Sequence, residues 1–346
     1  GKTTGMVNAS AAAALSGAAT AIAAVVTAAG VSLSGSETVT LAETSLLAAT
    51  LATIDGKTTG VVKATDATTI TGAASAVLSV VTSAGVSLSG SEALTLSDTT
   101  SVSAADLITL DGKTTGMVNA SAAAALSGAA TAIAAVITAA GVSLSGSETV
   151  TLAETSLLAA TLVTIDGATT GTISAGKATL LSGAMSDVLS VVTSAGVSLS
   201  GAELITLSNT GTVSAADLIT LDGKTTGMVN ASAAAALSGA ATAIAAVVTA
   251  AGVSLSGSET VTLAETSLLA ATLATIDGKT TGVVKATDAT TITGAASAVL
   301  SVVTSAGVSL SGSEALTLSD TTSVSAADLI TLDGKTTGMV NASAAA

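Results

Sequence analysis

The sequence predicts a repeat solenoid of the α/β type. Three observations predict it: self-similarity at a fixed period, strand-like and helix-like segments alternating inside each period, and an apolar complement without bulky side chains. A glycine opening GKTTG recurs at Gly1, Gly56, Gly112, Gly223, Gly278 and Gly334, with GATTG at Gly167. The spacings alternate between 55 and 56 residues. Residues 1–346 therefore read as one continuous array. Its units are 1–55, 56–111, 112–166, 167–222, 223–277 and 278–333, followed by a partial unit, 334–346. Two related units alternate, an A type (1–55) and a B type (56–111), and 167–222 is a divergent B type. Residues 223–346 repeat residues 1–124 without change. Such uniformity implies that every unit meets nearly the same neighbours, as in a stack that is quasi-one-dimensional.

Within a unit, "LSGAATAIAAVVTAAG" places Leu15, Ala18, Ala19, Ile22, Val25, Val26 and Ala29 on one helical face. The spacing predicts a helix of about 12–14 residues, with Ser16 as N-cap and Gly30 as the glycine past its C-terminus. The B unit keeps the pattern at Ala74, Val77, Leu78, Val81 and Ala84, then Gly85. "VSLSGSETVTL" alternates like a strand pair broken at Gly35. "SVSAADLITLDG" (101–112) reads as a short strand and a helical turn, with Ser103 and Asp106 at capping-box spacing. "MVNASAAAALSG" and "VVKATDATTITG" echo it as strand, turn, Leu or Ile, then Gly. An all-β solenoid is the competing reading, in which the Ala-rich segments are not helical.

Composition narrows the function. The chain has no Phe, Tyr, Trp, Pro, Cys, His or Arg, yet 49% of it is apolar. Without aromatics, irregular core space cannot be filled; small aliphatic side chains suit thin layers held close together. The net charge of −14 disfavours nucleic acid and anionic membrane surfaces. Ala11 to Leu33 carries no charge and is long enough to span a bilayer. Its Ala, Gly, Ser and Thr content and internal helix ends point to a buried solenoid helix instead, so the chain is not expected to span a membrane. The sequence opens and closes inside the same motif, which reads as a window on a longer chain.

GKTT resembles the end of a phosphate-binding loop, but that loop needs a glycine five positions earlier, where Leu51 and Leu107 stand. Ala168 also replaces the lysine in one copy. A tight Asp-Gly turn leading into a strand explains the motif. Two acids recur in every unit: Asp55, Asp111, Asp166, Asp222, Asp277 and Asp333, and Glu37, Glu92, Glu148, Glu203, Glu259 and Glu314. A glycoside-cleaving pair copied six times, with no aromatic platform for sugar, is not expected. The plain reading is that the Asp makes the turn and the Glu solvates a loop. Stacked units would also align the acids in rows, and Ca²⁺, which accepts carboxylates in loose geometry, would bridge such rows. No cofactor is required. Asn8, Asn119, Asn230 and Asn341 sit in NAS sequons that the strand-turn module explains. Thr38-Val39-Thr40, with Thr149/Thr151 and Thr260/Thr262, gives an interrupted version of an ice-binding ladder.

The module "ADLITLDGKTTGMVNAS…LSG" resembles very long Ala/Thr/Ser/Gly-rich repeat proteins of bacterial, cyanobacterial-type cell surfaces, described as strand-repeat or adhesin-like. The resemblance is compositional and spans the chain. It implies an exported, extracellular or cell-surface protein, not an enzyme. The residues lead to a similar place. Neither end of the sequence departs from the repeat, and a head-to-tail contact that does not close yields a filament. The expected function is a structural fibre whose partner is itself, with the stalk of an adhesin as the rival reading and ice binding as a remote third.

Overall fold

The computed structural model describes residues 4–345. The first GKTTG copy, at Gly1, begins outside them. Twelve helices and thirty strands are found among the described residues, in units of about 55 residues. The fold class is an α/β solenoid built from parallel sheets. The all-β alternative is excluded by the helices.

Each unit supplies two helices rather than the single longer one expected. The first set has nine residues: α1 Ala19–Thr27, α3 Ala74–Thr82, α5 Ala130–Thr138, α7 Met185–Thr193, α9 Ala241–Thr249 and α11 Ala296–Thr304. The second has eight: α2 Ala48–Asp55, α4 Ala104–Asp111, α6 Ala159–Asp166, α8 Ala215–Asp222, α10 Ala270–Asp277 and α12 Ala326–Asp333. "AADLITLD" thus forms a full helix where a single turn was expected. Its buried residues, Ala104, Leu107 and Leu110, repeat every third position. That stripe is too short to be told from a strand-and-turn by periodicity alone.

The strands form seven parallel sheets, A to G in chain order. Sheet A pairs Val7–Asn8 with Val31–Ser32. Sheet B orders Ala14–Ser16, Thr38–Thr40, Val62–Lys63 and Val86–Ser87. Sheet C orders Ser45–Leu47, Thr69–Gly72, Ala93–Leu96, Val118–Asn119 and Val142–Ser143. Sheet D orders Ser101–Ser103, Ala125–Ser127, Thr149–Thr151, Ile173–Ser174 and Val197–Ser198. Sheet E orders Ser156–Leu158, Leu180–Gly183, Leu204–Leu207, Val229–Asn230 and Val253–Ser254. Sheet F orders Thr212–Ser214, Ala236–Ser238, Thr260–Thr262, Val284–Lys285 and Val308–Ser309. Sheet G orders Ser267–Leu269, Thr291–Gly294, Ala315–Leu318 and Val340–Asn341. Residues 323–325, which correspond to Ser101–Ser103, are not assigned as a strand.

Partner residues differ by 24 positions, as Leu46 and Ile70, or by 23 where the TVT strand of an A unit meets the first strand of the next B unit, as Val39 and Val62. A rung is therefore about 24 residues, well under half a unit. A unit runs strand, strand, helix, strand, strand, strand, helix: seven segments. Each strand pairs with the third segment further along the chain wherever that segment is also a strand, so a rung has three sides. Stepping by three through that seven-segment pattern meets five strands in succession and then two helices. Hence four of the sheets have five strands, and α2 packs on α3, α4 on α5, α8 on α9 and α10 on α11.

Two compact units share these elements. The first comprises 1–154, 164–176 and 196–198 and holds sheets A to D; the second comprises 155–163, 177–195 and 199–346 and holds sheets E to G. In each, inward strand residues stack into aliphatic ladders. Ile70, Leu94 and Val118 are buried on neighbouring strands of sheet C, as are Leu181, Ile205 and Val229 in sheet E. The helices add short stripes, such as Ala48, Leu51 and Ile54. The apolar side chains buried in these rungs are Ala, Val, Leu and Ile, with Met185 alone added.

The uncharged stretch 11–33 is divided between the strand Ala14–Ser16, helix α1 and the strand Val31–Ser32. No helix among the described residues is long and apolar enough to cross a membrane.

The helix ends differ from expectation. Ser16 lies in a strand, and the N-cap of α1 is Ala18, whose side chain makes no capping bond. The cap arrives from one rung further on: the Ala19 N–H donates to Glu43 Oε2 at 2.8 Å. All six nine-residue helices are capped this way, by Glu43, Asp98, Glu154, Asn209, Glu265 and Asp320. An anionic acceptor there also complements the helix dipole. Gly30 is not a left-handed terminus; α1 ends at Ala28 in extended backbone. The expected Ser103 cap is present, accepting from the Asp106 N–H at 3.4 Å.

The reach of these caps follows the corner beside them. In A units the cap is Glu and one residue separates it from the next strand, as Thr44 separates Glu43 from Ser45. In the first two B-type units it is Asp98 or Asn209 and two residues intervene, and Asp320 stands in the same sequence context. The longer side chain compensates for the shorter corner. Glu43→Ala should therefore cost about 0.5–2 kcal/mol in urea unfolding. Glu43→Asp should cost nearly as much, and one threonine inserted after residue 43 should recover part of the loss.

Candidate functional site

The GKTTG motif is the best candidate for a site, and its geometry is that of a clasp between rungs. Gly56 ends a helix instead of starting one: Asp55 is the last residue of α2 and Gly56 its C-cap, at φ −70°. The tight Asp-Gly turn expected there is a helix terminus. Lys57 is exposed. The next residues grip the preceding rung. The Thr58 hydroxyl donates to the Glu37 carbonyl at 2.6 Å, and the Thr59 N–H donates to the Gly35 carbonyl at 2.8 Å. The Gly60 N–H donates to Thr58 Oγ1 at 3.0 Å, which orients the hydroxyl. A Cβ on Gly60 would overlap the Glu37 carbonyl, so the close approach admits only glycine. Where Ala168 replaces the lysine, the Thr169 hydroxyl still donates to the Glu148 carbonyl at 2.7 Å, the Gly171 N–H still donates to Thr169 Oγ1 at 3.0 Å, and a Cβ on Gly171 would again overlap the Glu148 carbonyl. The lysine is dispensable because nothing in the clasp uses it.

The recurring glutamates lie beside these clasps. Glu37, Glu92, Glu148, Glu203, Glu259 and Glu314 are all 1–2% exposed, so they do not solvate a loop. Glu37 is folded back into its own SGSE turn. Oε1 accepts from the Ser34 N–H at 2.6 Å and the Ser34 hydroxyl at 2.7 Å, and Oε2 accepts from the Gly35 N–H at 3.0 Å. The other five repeat the pattern. Gly35, at φ +77°, supplies the left-handed residue that lets the turn close on the carboxylate. The Ser34 hydroxyl, with help from backbone N–H groups, holds the Glu37 carboxyl below its ordinary value of 4.5, against the opposing effect of burial.

The aspartates have a different task. Asp55 accepts from the Ser83 hydroxyl at 2.7 Å, and Asp277 does the same from Ser305. Asp55, Asp111, Asp222 and Asp277 each sit against a glycine of the next rung, Gly85, Gly141, Gly252 and Gly307, where a Cβ would overlap the carboxylate.

Neither acid forms the expected row. Seven segments advance a unit by two full rungs and one side, so equivalent residues of successive units face different sides. The equivalent strands Ser45–Leu47, Ser101–Ser103 and Ser156–Leu158 accordingly open three different sheets, C, D and E. Among the described residues no group of three or more carboxylates gathers where it could hold a metal ion. The Thr-x-Thr pairs are dispersed likewise, at 38–40 in sheet B, 149–151 in sheet D and 260–262 in sheet F. Asn119 Oδ1 accepts from the Ser121 N–H and hydroxyl, at 3.1 and 2.8 Å, closing a turn after its strand.

The capping series from Glu43 to Asp320 is what sequence reading missed. Its signal was present as a third polar position at the unit period, changing identity with unit length. Among the described residues no buried side-chain nitrogen or oxygen lacks a partner. The arrangement can therefore bind rung to rung. Compared with known protein families, characterised proteins and solved structures, the chain matches none.

Two measurements test the clasp. Gly60→Ala should destabilise by about 1–3 kcal/mol through overpacking, whereas Gly30→Ala, where a Cβ meets nothing within 4 Å, should be nearly neutral. For Glu37 the folded carboxyl titrates below the unfolded one, so its contribution is present above about pH 4.5 and is lost as pH falls through the folded value. The urea-midpoint gap between the native chain and Glu37→Gln should thus be widest near neutrality and shrink below pH 4.5.

Proposed function

We propose that this chain is a structural protein. Its tandem units build an extracellular or cell-surface filament by stacking, and it carries out no catalysis. The observation that supports this most is where the polar side chains go. The clasp threonines bond a carbonyl 21 or 22 residues back, and the helix caps bond an N–H 24 residues back. Polar chemistry that elsewhere would face a ligand here faces the adjacent rung.

The terminal rungs support stacking on further repeats. Val136 and Val247 are 1% exposed in α5 and α9, whereas their counterpart Val25 in α1 is 38% exposed. At the other end α12 buries only Leu332, while α4 and α8 also bury Ala104 and Leu107, or Ala215 and Leu218. Leu329, Ile330, Asp333, Val340 and Ala342 line a shallow depression there. On this reading another copy of the same rung, supplied by this chain or by another, covers such a face as a neighbouring rung covers Val136 and Val247. A lone module would leave both its faces bare and gain little from burial.

Electron microscopy of the purified chain tests the proposal. Strings of particles joined end to end are expected, and Val25→Glu with Leu329→Glu should abolish them while leaving the circular-dichroism spectrum intact. Particles that never join, at any concentration, would make the array a spacer and reject the fibre.

A further inference from the structure

One sequence occurs in this chain in two settings. Residues 321–346 repeat residues 99–124 without change. In the first setting another rung follows. Ser101–Ser103 is a strand paired with Ala125–Ser127, and α4 packs on α5. Ser103 caps α4, whose Ala104 and Leu107 are buried. In the second setting the described residues supply no further rung. Residues 323–325 are not a strand, Ser325 makes no capping bond, and α12 buries only Leu332. The order of this segment therefore comes from the rung after it. The opposite terminal face is already built. Ala14–Ser16 is a strand through its pairing with Thr38–Thr40, and α1 is capped by Glu43. Residues 14–25 are identical to residues 125–136. Leu126 and Val136 are each 1% exposed, whereas their counterparts Leu15 and Val25 are half-buried and 38% exposed. The free edge of Ala14–Ser16 presents backbone groups open to pairing.

Two of the three sides of the terminal rungs are thus halves of a contact that the interior makes whole. The third side is filled at both ends by the same sequence. Val7–Asn8 covers Val31–Ser32, and Val340–Asn341 covers Leu316–Thr317. In the interior one strand does both: Val118–Asn119 lies between Leu94–Thr95 and Val142–Ser143. When two copies meet end to end, one place receives two identical strands and one of them gives way. Exchange of an identical element between protomers costs little. The strand that stays makes both pairings, so none is lost on that side, and those of the other two sides are gained.

We propose that a second copy of this chain docks head to tail in the register of the interior. Residues 323–325 of one copy become a strand on Ala14–Ser16 of the other, with Ser323, Val324 and Ser325 opposite Ala14, Leu15 and Ser16, and α12 packs on α1. This rests on the stacking reading above and specifies its joint. An interface already present in the chain names the occupant. The same residues meet as Ser101 with Ala125, Val102 with Leu126 and Ser103 with Ser127. Helices identical in sequence to α12 and α1 pack together as α8 and α9. Docking also completes what it binds. The incoming face turns 323–325 into a strand, restores the Ser325 cap and buries Leu329. Addition is polar, because a finished face orders an unfinished one.

The test is disulfide trapping in the full chain, which has no cysteine of its own. Ser16 and Ser325 are both exposed. Opposed positions on neighbouring strands lie about 4.8 Å apart, within reach of a disulfide. Ser16→Cys/Ser325→Cys should give a ladder of covalent oligomers on mild oxidation. Ser16→Cys/Ser323→Cys is two positions out of register, which sets the Cα atoms roughly 8 Å apart and beyond reach. That variant should give little or no ladder. Adding Val25→Glu and Leu329→Glu should abolish the ladder of the first variant. Amide exchange at residues 323–325 should slow by about tenfold or more in filaments of the native chain, relative to chains kept apart by Val25→Glu and Leu329→Glu. Filaments that form without the in-register ladder, or with unchanged exchange at 323–325, overturn this joint and leave the stacking reading standing. Particles that never join overturn both.

Discussion

The constraint on which the rest depends is a mismatch of two small whole numbers. A rung closes after three segments, while the sequence repeats after seven. Because three and seven share no factor, each side of the solenoid reads the whole unit in a permuted order. Five strands come together, which is enough to form a sheet with buried inner ladders, and two helices follow. Were the unit six segments long, one side would be made only of strands and another could be made only of helices. Within a compact unit the mismatch also puts equivalent strands of successive repeats into different sheets, as Ser45–Leu47 in sheet C and Ser101–Ser103 in sheet D.

A rung this narrow limits its interior chemistry. Its corners are turns, and every turn has backbone groups that the sheets cannot satisfy. The chain answers with carboxylates used as internal hydrogen-bond acceptors. Glu37 closes its own turn, and Glu43 closes a helix one rung earlier. A buried charge is costly unless hydrogen-bonded. Here each buried glutamate accepts two N–H groups and a hydroxyl from its immediate neighbourhood, which offsets part of the cost of burying its charge. The same economy of space explains the glycines of the clasp, which mark places where two backbones approach closely.

Much of this was legible in the sequence. The period, the solenoid class, and the strand character of "VNA" and "TVT" follow from repetition and alternation. The second helix was not legible, since "AADLITLD" buries only three positions and its apolar spacing also fits a strand and turn. The rung length was hidden for a stronger reason: neither 24 nor 23 is a period of the sequence, because residues that pair come from different segments of the unit. Leu46, Ile70 and Leu94 stack, but their flanking sequences, "TSLLA", "TTITG" and "EALTL", have little in common. For the same reason the aligned acid rows followed sensibly from stacking 55-residue units and vanish once the rung is 24. The role of Glu37 was readable only in part. An SGSE turn offers N–H groups to a carboxylate, yet its burial depends on the clasp from the following unit.

The divergent unit separates what the fold demands from what it merely tolerates. Inward positions change only among aliphatics: Ile173 stands for Val62, Leu181 for Ile70 and Ile205 for Leu94, all still buried. The clasp residues Thr169, Gly171 and Glu203 do not change at all. Outward positions change class, from Thr69 to Leu180 and from Lys63 to Ser174. The cap is the instructive case. Asn209 replaces Asp98 and accepts from the Met185 N–H at 2.7 Å, the same distance at which Asp98 accepts from Ala74. The charge has gone and the bond has not. What the corner requires is therefore an acceptor of the right reach, and the favourable interaction of an anion with the helix dipole is an addition to that bond. An exterior free to change while the bonds between rungs stay fixed is the condition under which one unit of an array can acquire a surface of its own.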